Sequence, residues 1–593
     1  MLGLAVAVRV AGLLSFEQTL FADHPMVDAY TYWDQATAML AGKDPFAEGF
    51  YQPPGYPAFL WALARLSGGA DLVVVRLLQA WMGVLTTGLL VLLGRRVGEG
   101  LGAPWVGAVA GLLFTLYPST LLFEQDVLTP ALTCLLSTAA LSLLWDPRPA
   151  DPATGAPAGP SPLRAGLAGL LQGLAVVVHP TYLLASAASG VWLLVQAQRA
   201  PSGVAVSRRL GPTLAFALTL GLALAPTAAR NHLVHHQPAL VSHNSGLNFY
   251  LGNNLEWRET MFLRPGLPFR RLVLEAEPDK RDVAERNTWW WDRSRAGIAA
   301  HPVAWLSILG TKALWSVHDT EIPRNEDYRC RTDQGPLAWI GRLPVRYGLV
   351  LPFALAGAVL LARRGGAGPL AAATWAALHL PLIVFLVADR YRLATWPAVS
   401  LAAAVGLHAA VRAVFAARDG ARPSRAWLLL LPVLPVPFLP IDPRTAYDAA
   451  WCLHVDGNLA LMDGDEDGAM TLYQQAMALD PEDWGARDFL ARTLAERGEP
   501  RQAITLMEPL VAWFPDHYPS LYFLAGLYQR TDQLDLAADT MGRAWRVPGD
   551  RTNTGVRYVK LLVQAGRRDE ARRVVAGASE LQGHPGLEGV LDQ

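Results

Sequence analysis

Apolar stretches of roughly bilayer-spanning length recur along the first 440 residues, parted by short polar segments. They fall at approximately 2–20, 71–94, 102–122, 127–145, 165–180, 182–197, 210–228, 345–362, 370–388, 393–414 and 426–441, about eleven in all. A further run, 303–317, is Trp-rich and amphipathic and reads as an interfacial helix or a twelfth span. From about residue 447 the pattern changes to soluble amphipathic helices. The expected fold is all-α: a polytopic membrane helical bundle over 1–441 and a helical-repeat solenoid over 447–593.

Composition agrees. The 593 residues are 52% hydrophobic and 17% charged, against about 25% charged in ordinary soluble domains, so much of the chain belongs in lipid. A net charge of -1 gives no general attraction to nucleic acid, and that partner class is excluded. Arginines gather at Arg95 and Arg96, at Arg199, Arg208 and Arg209, at Arg363 and Arg364, and from Arg412 to Arg425. These clusters occupy alternate loops, which assigns those loops to the cytoplasm. The expectation is a multi-pass inner (cytoplasmic) membrane protein with residues 21–70, the turn Glu124 to Asp126, the loop 229–343 and the C-terminal domain on the extracytoplasmic side. The stretch Leu2 to Phe21 lacks a small-residue cleavage site and reads as a retained first span. The Pro/Gly/Ala stretch 147–163 reads as a flexible cytoplasmic loop. Three cysteines exclude a disulfide framework or a Cys zinc site, and leave a bridge between Cys330 and Cys452 open.

In the C-terminal part a period of 34 residues appears. Ala469, Ala503, Ala537 and Ala571 share one register, and Ala476, Leu510, Ala544 and Ala578 share another. Gly464, Gly498 and Gly566 mark turns within units, and Pro481 and Pro515 close two of them. This resembles the tetratricopeptide repeat, with about four helix-turn-helix units over 449–580. Such units stack into a superhelix with a concave face that takes peptides or proteins. Asp463-Gly-Asp465-Glu-Asp467-Gly468 imitates the start of a calcium loop, but Gln474 stands where calcium needs a bidentate Glu, so it reads as an interhelical turn.

Candidate chemistry lies in the first far-side loop. A carboxylate such as Asp28 costs about 2.5 kcal/mol or more if held in hydrocarbon, so one fixed beside a span calls for a polar cavity. It is followed by Tyr30, Tyr32 and Asp34, then Gly42-Lys-Asp-Pro45 and Tyr51-Gln-Pro-Pro-Gly-Tyr-Pro57, whose paired prolines stiffen the re-entry. Glu124 and Asp126 form a second acidic pair that orients an acceptor, holds a divalent cation with Asp28, or is merely solvated. Arg230, Arg390 and Arg392 stand where spans emerge on the same side and suit bidentate phosphate binding, with headgroup snorkelling as the alternative. His179 ends the fifth span, where it meets a phosphate or metal or has no function; His235, His236 and Trp289 to Trp291 belong to the outer surface and interface.

Several segments resemble the membrane-embedded GT-C glycosyltransferases of the protein mannosyltransferase and aminoarabinose transferase type. They are the Asp28 segment with its Tyr-Gln-Pro-Pro-Gly-Tyr-Pro re-entry, Pro226-Thr-Ala-Ala-Arg230-Asn231, Asn244-Ser-Gly246-Leu-Asn248 through Gly252-Asn253-Asn254, Glu321 through Asn325 to Tyr328, and Asp389-Arg390-Tyr391-Arg392 with Pro397. Gln52 stands where such transferases often carry a charge, and Thr227 replaces a tryptophan. The resemblance implies transfer of a sugar from a polyprenyl-phosphate carrier to an extracytoplasmic acceptor, first a protein hydroxyl and otherwise a lipid or glycan. It further implies inversion at the anomeric carbon, with Asp28 as general base; beside it the candidate site has Arg230, Arg390 and Arg392 on the donor phosphate, Glu124 and Asp126 as acceptor or second acids, and Tyr32, Asn231, Tyr391 and His179 in the pocket. The pairing with repeats resembles eukaryotic transmembrane tetratricopeptide O-mannosyltransferases. The rival from another class is a non-enzymatic membrane anchor for the repeats, which has no need of the far-side acids and arginines.

Overall fold

The computed structural model describes residues 1–145, 159–200, 205–236, 239–276, 282–325, 327–333, 335–364, 366–418, 434–547 and 550–591. Among them the regular structure is helical throughout. The helices are α1 (Leu2–Phe16), α2 (Val27–Leu40), α3 (Gly55–Ser67), α4 (Leu72–Glu99), α5 (Val106–Thr115), α6 (Pro118–Gln125), α7 (Pro130–Leu144), α8 (Pro162–Val178), α9 (Tyr182–Arg199), α10 (Val206–Leu233), α11 (Ser245–Gly252), α12 (Trp257–Thr260), α13 (Leu267–Leu274), α14 (Val283–Ala300), α15 (Pro302–Ser316), α16 (Arg329–Thr332), α17 (Ala338–Gly341), α18 (Tyr347–Arg363), α19 (Gly368–Val384), α20 (Asp389–Leu393) and α21 (Trp396–Arg418). The C-terminal helices are α22 (Ala449–Met462), α23 (Glu466–Leu479), α24 (Trp484–Glu496), α25 (Pro500–Trp513), α26 (Tyr518–Arg530), α27 (Leu534–Arg546), α28 (Arg551–Gln564) and α29 (Arg568–Gly577). The chain divides into two compact units, one of Met1–Leu263 with Arg281–Tyr447 and one of Arg264–Lys280 with Asp448–Gln593. Residues 264–280, expected with the membrane domain, thus fall in the repeat unit.

In the first unit, α4, α10 and the Trp396–Phe415 part of α21 are long and apolar enough to cross a bilayer; the bent pairs α1 with α2 and α5 with α6 raise this to five if each is one span. The helices α7, α8, α18 and α19 are apolar but shorter. The count by length and composition is therefore three to five, short of the expected eleven. Two expected spans are interrupted for local reasons. The stretch 102–122 bends by 55° between α5 and α6, where Pro118 opens the second helix, since proline has no N–H to continue the ladder. Helix α1 ends at Phe16 and the chain turns by 100° toward α2. The first half of the expected span 426–441 falls outside the described residues, as do most of the loop 147–163 and the end of the Arg412 to Arg425 cluster. The run 303–317 forms α15, which is anchored by its buried Lys312: Nζ donates to the carbonyls of Gly252, Val384 and Phe385 and to Asn253 Oδ1, at 2.9–3.2 Å.

Packing among these helices is close. A Cβ on Gly357 of α18 would lie 1.7 Å from the Ala402 carbonyl of α21, and one on Gly406 would lie 1.9 Å from the Phe353 carbonyl. Small residues of this kind let apolar helices meet backbone to backbone. By contrast Leu214, Leu218 and Leu222 of α10 are all 60% or more exposed and, four residues apart, share one apolar face. The bend after α1 is fixed by Arg76 of α4, which donates to the carbonyls of Gln125 (3.1 Å) and Ala22 and pairs with Glu17 at 3.0 Å.

In the second unit the 34-residue period becomes four antiparallel helix pairs, α22–α23 to α28–α29. Ala469, Ala503, Ala537 and Ala571 are all completely buried, because any larger side chain would force the paired helices apart. Turn positions Gly464, Gly498 and Gly566 hold φ of +88°, +85° and +76°, the left-handed region open to glycine. The calcium-loop imitation is a helix start: Asp465 accepts the Gly468 N–H at 2.9 Å and caps α23.

Candidate functional site

Asp28 lies in the first turn of α2, directly after Val27, whose φ is +51°. A β-branched residue in that region is strained by about 1–3 kcal/mol and persists only where surrounding contacts impose it. Those contacts converge on Asp28. Arg390 of α20 forms a short ion pair with Asp28 Oδ2, Asn325 Nδ2 donates to the same oxygen at 2.7 Å, and Gln52 Nε2 donates to Oδ1 at 3.0 Å. Burial pushes the Asp28 carboxyl up, but the charge of Arg390 and the three hydrogen bonds outweigh it and hold the group below the usual carboxylate range. Arg390 Nη2 also donates to the Tyr391 hydroxyl at 3.0 Å, and the Tyr391 ring lies 5.4 Å from that of His179. Tyr32, one turn along α2 from Asp28, is buried edge-on against Tyr56 at 5.3 Å, and burial with the Asp28 charge keeps its phenol protonated.

Thus Asp28, Arg390, Tyr391, His179 and Tyr32 come together. The remaining expected site residues do not join them by any contact among the described residues. Glu124 of α6 is paired with Arg9 of α1 through two hydrogen bonds of 2.7 and 2.9 Å, both side chains being buried. Asp126 accepts from the Tyr328 hydroxyl at 3.1 Å and pairs with Arg331 at 3.2 Å. Both acids expected to serve the acceptor or a cation therefore neutralise buried arginines, and no group of three or more His, Cys, Asp or Glu among the described residues is placed to hold a metal ion. Arg230 pairs with Asp44 at 2.6 Å and lies over the Phe50 ring, and Arg392 pairs with Glu321 at 2.6 Å while donating to the His318 and Thr320 carbonyls. Asn231 donates to the carbonyls of Ala239 and Val241 and fixes a loop. His179 Nδ1 lies 2.7 Å from Thr181 Oγ1.

Three contributors had no site role assigned from the sequence, Gln52 being noted there only as a departure from the transferase motif. Gln52 and Asn325 are the two amides on Asp28, and both stand within quoted motifs. Arg324, its neighbour, is buried and donates to the carbonyls of Leu263 (2.6 Å) and Met261 (3.4 Å), with no ion pair among the described residues. Burial lowers its pKa, and it lies within electrostatic reach of Arg390 and Asp28, so it belongs to the same electrostatic site. Asp389 is a fourth: burial, with the charge of Glu321, pushes its carboxyl up to about 8. It lines a space of only about 20 Å³ with Asp28, Asn325, Tyr328 and Arg390. A larger cavity of about 410 Å³ lies nearby, lined by Val176, Leu183, His243, Asn244 and Asn287 among others. It is joined to the Asp28 loop by the His243 N–H, which donates to the Phe50 carbonyl at 2.8 Å.

A tetratricopeptide repeat family model matches residues 460–521. No curated protein matches the chain. Among solved structures, a MamA crystal structure is similar at 20% identity over 23% of this chain and 86% of that one, with a TM-score of 0.21. MamA of Desulfovibrio magneticus RS-1 is similar at 18% identity over 30% of this chain and 94% of that one, again with a TM-score of 0.21. The repeat assignment rests on the family match, the 34-residue period and the helix pairs. It gives the second unit a fold whose usual work is protein interaction.

Proposed function

We propose that the protein is a membrane-anchored docking protein, in which the apolar helices of the first unit hold a bilayer and the repeats receive a polypeptide. The observation that carries this reading is the array itself, with its buried alanines at a 34-residue spacing and the matching family model over 460–521. Lipid then covers the apolar face of α10, and the repeats lie on the extracytoplasmic side, as the arginine distribution expects.

A second reading is favoured by the Asp28 cluster. An anchor has no use for a carboxylate held by a guanidinium and two amides behind a strained Val27. In this reading the first unit transfers a sugar from a polyprenyl-phosphate donor to a hydroxyl of a protein, lipid or polysaccharide. Asp28 paired with Arg390 is a weak base. Movement of Arg390 onto the departing phosphate, beside Arg324, removes that pairing, and burial then raises the Asp28 pKa as it takes the acceptor proton. The oxyanion of the leaving phosphate is met by guanidinium groups already in a dry site, and the 410 Å³ cavity offers room for an acceptor.

The two readings separate at Asp28. Replacing the chromosomal copy with Asp28→Asn keeps the shape of the side chain and removes its basicity. Docking alone predicts unchanged intact masses of glycoproteins and glycolipids; loss of one sugar from either overturns it in favour of transfer.

A further inference from the structure

Charge is unevenly divided between the two helix layers of the repeats. The first helices of the third and fourth repeats, α26 and α28, contain no Asp or Glu and carry Arg530, Arg551, Arg557 and Lys560. The second helices, α27 and α29, carry both signs, and Arg567, just before α29, pairs with Asp539 at 2.6 Å and Glu570 at 2.7 Å. Arg551 pairs with Glu580 at 3.5 Å. The other three cations of the first helices have no ion pair among the described residues: Arg530 donates to the Ala495 carbonyl at 2.8 Å and Arg557 to Gln529 Oε1 at 3.4 Å, both uncharged, and Lys560 is exposed. Arg557, Lys560 and Gln564 follow one another at spacings of three and four and share one face of α28. Tyr522, Gly526 and Gln529 do the same on α26, and the two faces meet. The Arg557 guanidinium lies 4.6 Å from the Tyr522 ring and over Gly526, where a Cβ would come within 3.2 Å of its Nη2, and Gln529 bonds Gln564 at 2.9 Å. The guanidinium is thus seated on a ring and a bare backbone beside a pair of amides, with no acid to offset it.

We propose that the polypeptide received by the repeats is an acidic segment, seated on the shared face of α26 and α28. Its carboxylates meet Arg530, Arg557 and Lys560; a guanidinium takes a carboxylate through two parallel hydrogen bonds, and the partner's charge relieves the repulsion among the three cations. Tyr522 supplies the aromatic surface on which such a segment packs, and the Gln529 and Gln564 amides match the N–H and C=O groups of an extended backbone. A lipid headgroup layer answers the charge but not the ring and the amides. This inference rests on the docking reading and specifies the partner class.

The test is fluorescence anisotropy of a labelled alternating Glu–Gly dodecapeptide, added at low salt to the full chain in phosphatidylcholine nanodiscs, with the matching Gln–Gly peptide as reference. Wild type is expected to bind the Glu peptide at least about tenfold more tightly than the Gln peptide, and to lose that preference as salt rises. Arg557→Gln/Lys560→Gln should remove most of the preference with the thermal transition of the repeats unchanged, and Arg530→Gln/Lys560→Gln, both at exposed positions, should act alike. Arg543→Gln/Arg546→Gln, which takes the same charge from α27, should keep it. Equal loss in all three variants makes the effect one of net charge and overturns the site. No preference in wild type overturns the acidic class, while docking itself still stands or falls with the Asp28→Asn comparison. Capture of phosphatidylserine vesicles that is lost in Arg557→Gln/Lys560→Gln, without binding of the Glu peptide, assigns the face to anionic lipid and overturns the proposal.

Discussion

Asp28 was legible as a residue to explain because a carboxylate beside an apolar run is costly, and the structure shows how that cost is met. Its partners were less legible: Gln52, Asn325 and Arg390 are separated from it by 24, 297 and 362 positions, and nothing periodic in a sequence announces such approaches. Glu124 and Arg230 show the reverse. Their charge and position along the chain suited a site, but Arg9 and Asp44 claim them, and pairing is decided by tertiary packing. Asp389 makes a prediction at this scale. Its folded carboxyl titrates near 8, above the ordinary value of about 3.9. The folded state therefore holds a proton that the unfolded state releases. The resulting stability is full below about pH 4 and is lost progressively as pH rises toward 8. Thermal melts of wild type should fall across about pH 5 to 8, and Asp389→Asn should flatten that slope; an unchanged slope contradicts the assignment.

Among elements, the repeat helices were readable because every unit repeats the same small residues at the same contact. The third unit departs at one point: Asp532 occupies the turn position that is Gly464, Gly498 and Gly566 in the others, and holds φ +60°. An L-residue there costs about 1–2 kcal/mol, partly offset for Asp by its local hydrogen bonding. Asp532→Gly should therefore stabilise the repeat unit by about 0.5–1 kcal/mol, seen as a higher midpoint in chemical denaturation, and a lower midpoint would refute the strain. In the first unit hydropathy located most of the helices but could not show where they break. The interruption at Pro118 and the 100° turn after α1 depend on Arg76 and Gln79 holding loop carbonyls at Ala22, Glu124 and Asp126, contacts that leave no hydropathy signal.

For the whole molecule, the longer segment of the second unit begins at Asp448. Its other segment, 264–280, was hidden inside a loop, since Arg264 and, in the short helix that follows, Arg271 are unremarkable until Trp451 and Trp513 face them. The docking account assigns the working surface to the first helices of the repeats. There Arg557 of α28 lies 4.6 Å from the Tyr522 ring of α26. The most direct measurement is photo-crosslinking in intact membranes with p-benzoylphenylalanine at Tyr522, compared with the exposed Arg573 of α29. The account predicts a discrete polypeptide adduct at position 522 that is absent at 573. No adduct at 522, or the same adducts at both positions, would contradict it.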